Sequence, residues 1–126
     1  MNLGDSSARF AYFADESQAK HFIDPLNDSS NLVVPTVSIY EVFKVVLRES
    51  VENHALQAVA AMKKGKVVDL TPTLALSAAK LNLTHNLPMD DSIMFATAKA
   101  YEGTLWTLDS DFNDFTGVNY YLKSND

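Results

Sequence analysis

The most chemically suggestive part of the sequence carries two pairs of closely spaced aspartates. Asp90 and Asp91 follow Pro88 and precede an apolar run rich in small residues, whereas Asp109 and Asp111 follow a short β-prone segment. Because Pro88 ends any preceding helix, Asp90 or Asp91 is predicted near the N-terminus of a new helix, where a carboxylate suits the free N–H groups. Clustered carboxylates repel one another unless a divalent cation offsets the repulsion. These aspartates therefore predict a site for an oxygen-preferring metal ion.

The elements around these aspartates explain how distant residues could meet. The helix is expected to end at Gly103, and the residues from Thr104 to Leu108 are expected to form a strand that runs into the second acidic pair. In α/β folds, ligands bind in the crevice beyond the carboxyl ends of the strands. One helix start and one strand end can therefore direct carboxylates into the same crevice.

Asp5 is a further candidate near the start of the chain. A short apolar segment with Gly4 as its weak point is predicted to form the first strand and to end at Asp5. Ser6 and Ser7 follow, and either could cap a helix that runs through Phe13. From the residues alone, Asp5 is either a helix cap or a carboxylate exposed at a strand end.

The residues from Thr36 to Ser50 predict an amphipathic helix after a strand that Pro35 ends. Its predicted core face consists of Ile39, Phe43, Val46 and Leu47. Glu41, Lys44 and Arg48 share another stripe. Periodicity alone favours a solvated pair between Glu41 and Lys44, three residues apart, over a functional role for the glutamate.

Composition limits the possible classes of protein. The chain has 126 residues, 47% of them hydrophobic and 21% charged, which fits a single domain spanning 1–126. It has no cysteine, no visible signal peptide and no apolar run of membrane-spanning length, which suits a cytoplasmic protein without a membrane segment. The net charge is −6 and the pI about 4.9, so any nucleic acid would need a local basic patch or a bound metal ion.

Strand and helix patterns alternate along the chain and predict a parallel α/β sheet with helices on both faces. One helix is expected from Glu16 to Leu26, one from Val51 to Lys64 and one that begins at Thr71 and Pro72; a last, edge strand is expected from Val118 to Leu122. No glycine-rich phosphate loop, zinc-protease motif or nucleophile elbow is present in the sequence.

Three segments resemble PIN-domain proteins of the VapC toxin type. These are the sequences NLGDSSARFAYF, VPTVSIYEVFKVV and PMDDSIMFATAKAYEGTLWTLDSDF, which lie in the family's order and cover nearly the whole chain. The resemblance implies a PIN-like three-layer α/β/α fold with a central, mainly parallel sheet. The resemblance also favours a functional role for Asp5 over that of a helix cap, and a functional role for Glu41 over a solvated pair with Lys44.

The resemblance further implies a set of functional residues. The catalytic acids are Asp5, Glu41, Asp91 and Asp109, and the metal ligands are Asp5, Asp91, Asp109 and Asp111. Asp109 and Asp111 remain alternatives for the last acid, and Asp114 is expected at the surface. Ser6 and Thr107 would support the ligands through their hydroxyl groups, and Lys44 and Arg48 would contact a phosphate backbone.

The implied function is that of a metal-dependent endoribonuclease, the toxin of a type II toxin–antitoxin system. The expected cofactor is Mg²⁺ or Mn²⁺, since oxygen ligands suit both ions. The expected partners are an RNA substrate, a small cognate antitoxin and a second copy of the chain. Two alternatives are a PIN-like protein that binds a partner without catalysis and a receiver-like phosphoacceptor domain, although a receiver would carry an acidic pair after its first strand.

Overall fold

Parallel strands form the centre of the molecule, and helices connect them. The computed structural model describes residues 1–14, 17–113 and 115–122. The strands are β1 (Asn2–Gly4), β2 (Val33–Pro35), β3 (Lys66–Val68), β4 (Thr104–Thr107) and β5 (Val118–Tyr120). The α-helices are α1 (Ser6–Phe13), α2 (Ile23–Asn27), α3 (Thr36–Glu49), α4 (Glu52–Met62), α5 (Pro72–His85) and α6 (Met89–Ala100). Short 3₁₀ helices span Ser17–His21, Ser29–Asn31 and Ser110–Phe112.

Because the described strands pair in parallel, their carboxyl ends lie at the same edge of the sheet. β1, β4 and β5 pair in parallel with β4 in the middle, and β2 and β3 form a second parallel pair. A single parallel bridge between Asn2 and Leu32 joins the two groups, which gives the order β3-β2-β1-β4-β5. The predicted parallel sheet, with β5 as an edge strand, is confirmed. Loops after β1 and β4 therefore leave the sheet side by side.

Hydrophobic side chains pack on both faces of the sheet. Val33 belongs to the cluster that includes Met94 and Phe95 of α6, whereas Val34 belongs to the cluster that includes Ala8 of α1 and Val42 of α3. This division follows from the alternation of side chains along a strand. The three-layer α/β/α arrangement expected from the sequence is therefore confirmed.

Helix α6 is buried on all its sides over most of its length. Its residues from Asp91 to Ala98 are all buried, because the segment is apolar or small around its whole circumference. It packs against α5 and the sheet. Asp91, in the first turn, is only 7% exposed. The packing of α6 therefore sets the position of that carboxylate.

Gly4 was expected to weaken β1, and the structure gives a reason for a glycine there. A Cβ atom on Gly4 would lie 2.6 Å from Cδ2 of Leu26, so a larger residue would displace that side chain. Gly4 still pairs with Trp106 in the β1–β4 ladder. β1 therefore forms with a glycine at the point where Leu26 of α2 packs against it.

The prediction of a single helix from Glu16 to Leu26 is wrong. A 3₁₀ helix, Ser17–His21, is followed by the short helix α2, Ile23–Asn27, while Glu16 lies outside the described residues. Pro25 has no N–H group, so it fits the first turn of a helix but not the interior of a long one. The chain therefore begins a new helix just before Pro25.

The core face predicted for α3 is also partly wrong. Its fully buried residues are Ser38 and Val42, whereas Leu47 is 42% exposed. Ser38 can be buried because its hydroxyl lies 3.1 Å from Sδ of Met94 in α6.

No helix in the described parts of the chain is long and apolar enough to cross a membrane.

Candidate metal centre

Three aspartates from separate parts of the sequence meet beyond the carboxyl ends of β1 and β4. Asp5 follows β1, Asp91 lies in the first turn of α6, and Asp109 follows β4 by two residues. Each offers a carboxylate oxygen, and these oxygens all lie within 4.8 Å of one another. The parallel register of β1 and β4 places two of them side by side, and the N-terminus of α6 supplies the third.

Hydrogen bonds hold Asp5 firmly in place. Its Oδ1 accepts from Ala8 N at 3.0 Å and from Ser7 Oγ at 2.6 Å, and its Oδ2 accepts from the Thr107 hydroxyl. Asp5 is thus the N-cap of α1 and also a member of the carboxylate group. The two sequence interpretations of Asp5 describe the same side chain.

Protonation of the carboxylates is favoured by burial and by their mutual repulsion. Burial raises the pKa of Asp91 to about 8, and hydrogen bonding to Asp109 and the negative charges of Asp109, Asp90 and Asp5 add to the effect. Burial also raises the pKa of Asp5, against the opposing effect of its hydrogen bonds to Ser7, Thr107 and Ala8. Such a group either holds protons or is offset by a cation.

Thr107 and Ser7 link the loop after β4 to the start of α1. The Thr107 hydroxyl donates to Asp5 and accepts from Asp109 N at 2.8 Å. Ser7 Oγ accepts from Leu108 N at 2.9 Å and donates to Asp5. One pair of hydroxyl groups therefore connects the segments that carry two of the three aspartates.

Glu41 lies beside the aspartates but outside the group of three. Ser6 Oγ donates to its Oε2 at 3.1 Å, and its Oε1 is buried without a hydrogen-bond partner among the described residues. Burial raises the pKa of Glu41 to about 7, and a hydrogen bond to Asp90 and the charges of Asp90 and Asp5 act in the same direction. In the described chain Glu41 makes no ion pair with Lys44, so the surface-pair interpretation is wrong.

The remaining candidates lie at the periphery. Asp111 is exposed and lies outside the group of three, although its backbone N–H donates to Asp109 Oδ1 at 2.9 Å. Lys44 is exposed and lies 5.1 Å from the ring centroid of Tyr40. Arg48 is exposed and pairs with Glu49 at 3.4 Å. The surface position expected for Asp114 falls outside the described residues.

The contacts of two residues near the site, Ser7 and Asp90, were not predicted from the sequence. Ser6 was predicted to support the ligand Asp5, but Ser7 makes that contact and Ser6 contacts Glu41. Asp90 was considered only as an alternative to Asp91, yet it interacts with Glu41. The available signal was that two hydroxyls, Ser6 and Ser7, and two acids, Asp90 and Asp91, are adjacent in the sequence. Neighbouring residues on a helix face different directions, so each member of a pair can make its own contact.

The donor set fits a hard divalent cation. Three carboxylates converge, from Asp5, Asp91 and Asp109. Oxygen-only ligands are typical of Mg²⁺ and Mn²⁺. The backbone and hydroxyl donors around Asp5 and Asp109 orient those carboxylates, as supporting groups do in metal sites.

The protein belongs to the class of parallel α/β folds with converging carboxylates at the carboxyl edge of the sheet. Comparison with known families identifies the family. The family model for the PIN domain matches residues 3–118. The chain therefore belongs to the PIN domain family. No curated protein matches it.

Solved structures share the fold at low sequence identity. A toxin–antitoxin complex from Klebsiella pneumoniae aligns with a TM-score of 0.80 and 19% identity over 94% of this chain and 96% of that one. Mycobacterium tuberculosis VapC20, described as a sarcin–ricin loop cleaving toxin, aligns with a TM-score of 0.73 and 16% identity over 89% and 92% of the two chains. Rickettsia felis VapBC2, bound to a DNA fragment from its promoter, aligns with a TM-score of 0.73 and 9% identity over 95% and 96%.

Proposed function

We propose that this PIN domain is a metal-dependent endoribonuclease and the toxin of a type II toxin–antitoxin pair. The observation that carries the proposal is the convergence of Asp5, Asp91 and Asp109 within 4.8 Å at the carboxyl edge of the sheet. The family and the fold shared with VapC proteins support it. Membership of the PIN family also removes the reason to consider a receiver domain.

The three aspartates would hold Mg²⁺ or Mn²⁺. When bound, such an ion supplies Lewis-acid activation of a phosphodiester and lowers the pKa of water. Asp5 is kept rigid by its three donors, and Asp109 is oriented by Asp111 N. Glu41, with its pKa near 7 and its Oε2 held by Ser6, is suited to exchange a proton with a reacting water or leaving group.

RNA is the proposed substrate because the fold is shared with a toxin described as cleaving an RNA loop. Single-stranded loops expose their bases for recognition, whereas an A-form helix hides them. Lys44 and Arg48 lie three and seven residues after Glu41 on α3, so they follow one side of the helix away from the acids. In a chain of net charge −6, these two cations would provide the local contact with phosphates.

An antitoxin is the proposed protein partner. A groove of about 600 Å³ lies between the C-terminal halves of α1 and α3 and the helix α4, and Phe10, Phe13, Val46 and Ala58 contribute apolar surface to it. Similar structures include a toxin–antitoxin complex and VapBC assemblies. We further propose that residues 1–126 act as one PIN domain, that the protein forms a homodimer and that it works in the cytoplasm, where its substrate is found.

Incubation of partner-free protein with total cellular RNA tests the nuclease. Discrete fragments are expected with Mg²⁺ or Mn²⁺, and EDTA should abolish them. Asp5→Asn and Asp91→Asn should each remove cleavage, whereas Asp69→Asn, an exposed aspartate outside the site, should leave it intact. Circular dichroism of each variant would confirm folding.

Manganese binding, followed by electron paramagnetic resonance, separates binding from catalysis. Metal binding that depends on Asp5 and Asp91, without cleavage of any RNA, would instead support a PIN-like protein that binds a partner without catalysis. Cleavage that survives both substitutions would overturn the assignment of the site.

A further inference from the structure

A second cavity, whose lining includes none of the three aspartates, carries several polar side chains. It has a volume of about 160 Å³ and is formed where α1 faces α2, the 3₁₀ helix Ser29–Asn31 and the end of α4. Its polar lining consists of Arg9, Tyr12, Asn27, Ser29 and Lys64, and its other lining residues are apolar. None of these lining residues is acidic, in a chain whose net charge is −6. The cavity is therefore a locally basic site in an acidic protein.

Arg9 is the unusual member of this lining. It is 3% exposed, and its Nε donates to Gly4 O at 3.2 Å. Its Nη2 is buried and has no hydrogen-bond partner in the described parts of the chain. Burial lowers the pKa of Arg9 to about 10, against the opposing effect of Asp5. A buried guanidinium nitrogen without a hydrogen-bond partner is costly, so Nη2 of Arg9 has a donor capacity that no described protein group uses.

The other polar groups can also present donors to the cavity. Tyr12 donates its hydroxyl hydrogen to Asn27 Oδ1, which orients the amide with Nδ2 as its remaining donor group. Lys64, just beyond α4, is exposed and carries a second positive charge. Ser29 adds a hydroxyl. Two cations and two neutral donors thus surround a space too small for a nucleoside but adequate for one oxyanion.

We propose that this cavity binds a single phosphate group, with Arg9 and Lys64 as its charged contacts and Asn27 and Ser29 as neutral donors. Arginine recognises phosphate through parallel N–H donors, and lysine acts as a point charge beside it. Donors come from three separate segments of the chain, which suits a tetrahedral ion better than a planar carboxylate. The source of the group is either free inorganic phosphate or the terminal phosphate of an RNA. The site does not depend on nuclease activity.

Arginine side-chain NMR provides a direct test, because the chain contains only two arginines, Arg9 and Arg48. The full-length protein is freed of metal on a chelating resin, so that no soluble chelator competes, and is titrated with inorganic phosphate. A saturable shift of the Arg9 Nε–H signal is expected in the millimolar range, while the exposed Arg48 serves as an internal reference. A short RNA with a 5′-phosphate, compared with its 5′-hydroxyl form, tests the second source.

Matched lysine variants keep the test independent of folding. Lys64→Ala should weaken phosphate binding by about tenfold, whereas Lys63→Ala, an exposed neighbour outside the lining, should leave it unchanged. Arg9→Met should abolish the binding if that variant folds. No saturable response at Arg9, equal affinity in the two lysine variants, or acetate binding as tight as that of phosphate would each overturn the proposal.

Discussion

The hydroxyl of Thr107 donates a hydrogen bond to the carboxylate of Asp5 across the paired ends of β4 and β1. The same hydroxyl oxygen accepts from Asp109 N, so one side chain couples two of the converging aspartates. Thr107 is fully buried, so its hydroxyl group is shielded from solvent. This contact makes the geometry of the carboxylate group depend on the register of two strands.

Thr107→Val should therefore lower the affinity for metal strongly, with a smaller effect on the thermal stability of the protein. Loss of a hydrogen bond that orients a metal ligand typically costs about 10- to 100-fold in affinity. Thr107→Ser, which keeps the hydroxyl, should restore most of the affinity. Isothermal titration with Mn²⁺ would measure it, with thermal unfolding as the measure of stability. A parallel loss of stability and affinity in both variants would mean that Thr107 is only a packing residue.

Asp109 and Asp111 should behave differently when each is changed to asparagine. Asp109→Asn removes a member of the carboxylate group and should reduce RNA cleavage by at least about 100-fold, because a metal ligand is lost. Asp111→Asn leaves the backbone N–H that orients Asp109 and should change cleavage less than about threefold. Single-turnover cleavage rates would compare them, and the reverse order of effects would assign the role of ligand to Asp111.

Metal affinity should rise with pH. Without metal, the pKa of Asp91 is raised to about 8 and that of Glu41 to about 7, so protons occupy the group at neutral pH and compete with a cation. Mn²⁺ should therefore bind much more tightly at about pH 8.5 than at about pH 6. Proton release measured in two buffers of different ionisation enthalpy would report the displaced proton. An affinity independent of pH would contradict the raised pKa of Asp91.

The stability of the metal-free protein should change with pH in the opposite direction. A carboxyl group whose pKa is raised on folding contributes stability below its unfolded pKa, and that contribution is lost as pH rises through the folded pKa. For Asp91 the loss runs from about pH 4 to about pH 8, and Glu41 adds a loss that ends near pH 7. Urea unfolding in EDTA should show it. Asp91→Asn should flatten the profile, and Mg²⁺ should restore stability at high pH.

The groove between α1, α3 and α4 should accept the antitoxin independently of catalysis. Ala61 lines this groove, whereas the adjacent Ala60 is exposed outside it. Ala61→Glu should prevent co-purification with the co-expressed cognate antitoxin, because it places a charge in an apolar interface, and Ala60→Glu should not. Both variants should still cleave RNA. Retention of the antitoxin by both variants would place the partner elsewhere.

The sequence by itself determined the parallel α/β class and the approximate position of each acid. Asp5 and Asp109 could be placed after strands, and Asp91 at a helix start, because apolar periodicity and the breaks at Pro88 and Gly103 are local signals. The three-layer fold that the PIN resemblance implied is also present in the structure. The catalytic roles of these acids stay predictions until the experiments above are done.

Only the tertiary structure decided which of several adjacent polar residues meet. Ser7 rather than Ser6 contacts Asp5, and Asp109 rather than Asp111 joins the carboxylate group. Nothing in the sequence indicated that Nη2 of Arg9 would be buried without a hydrogen-bond partner among the described residues. Neighbouring residues differ by about 100° around a helix, so their contacts depend on how that helix packs against segments distant in the chain. Local patterns specify the elements, whereas long-range packing selects the side chains that share a site.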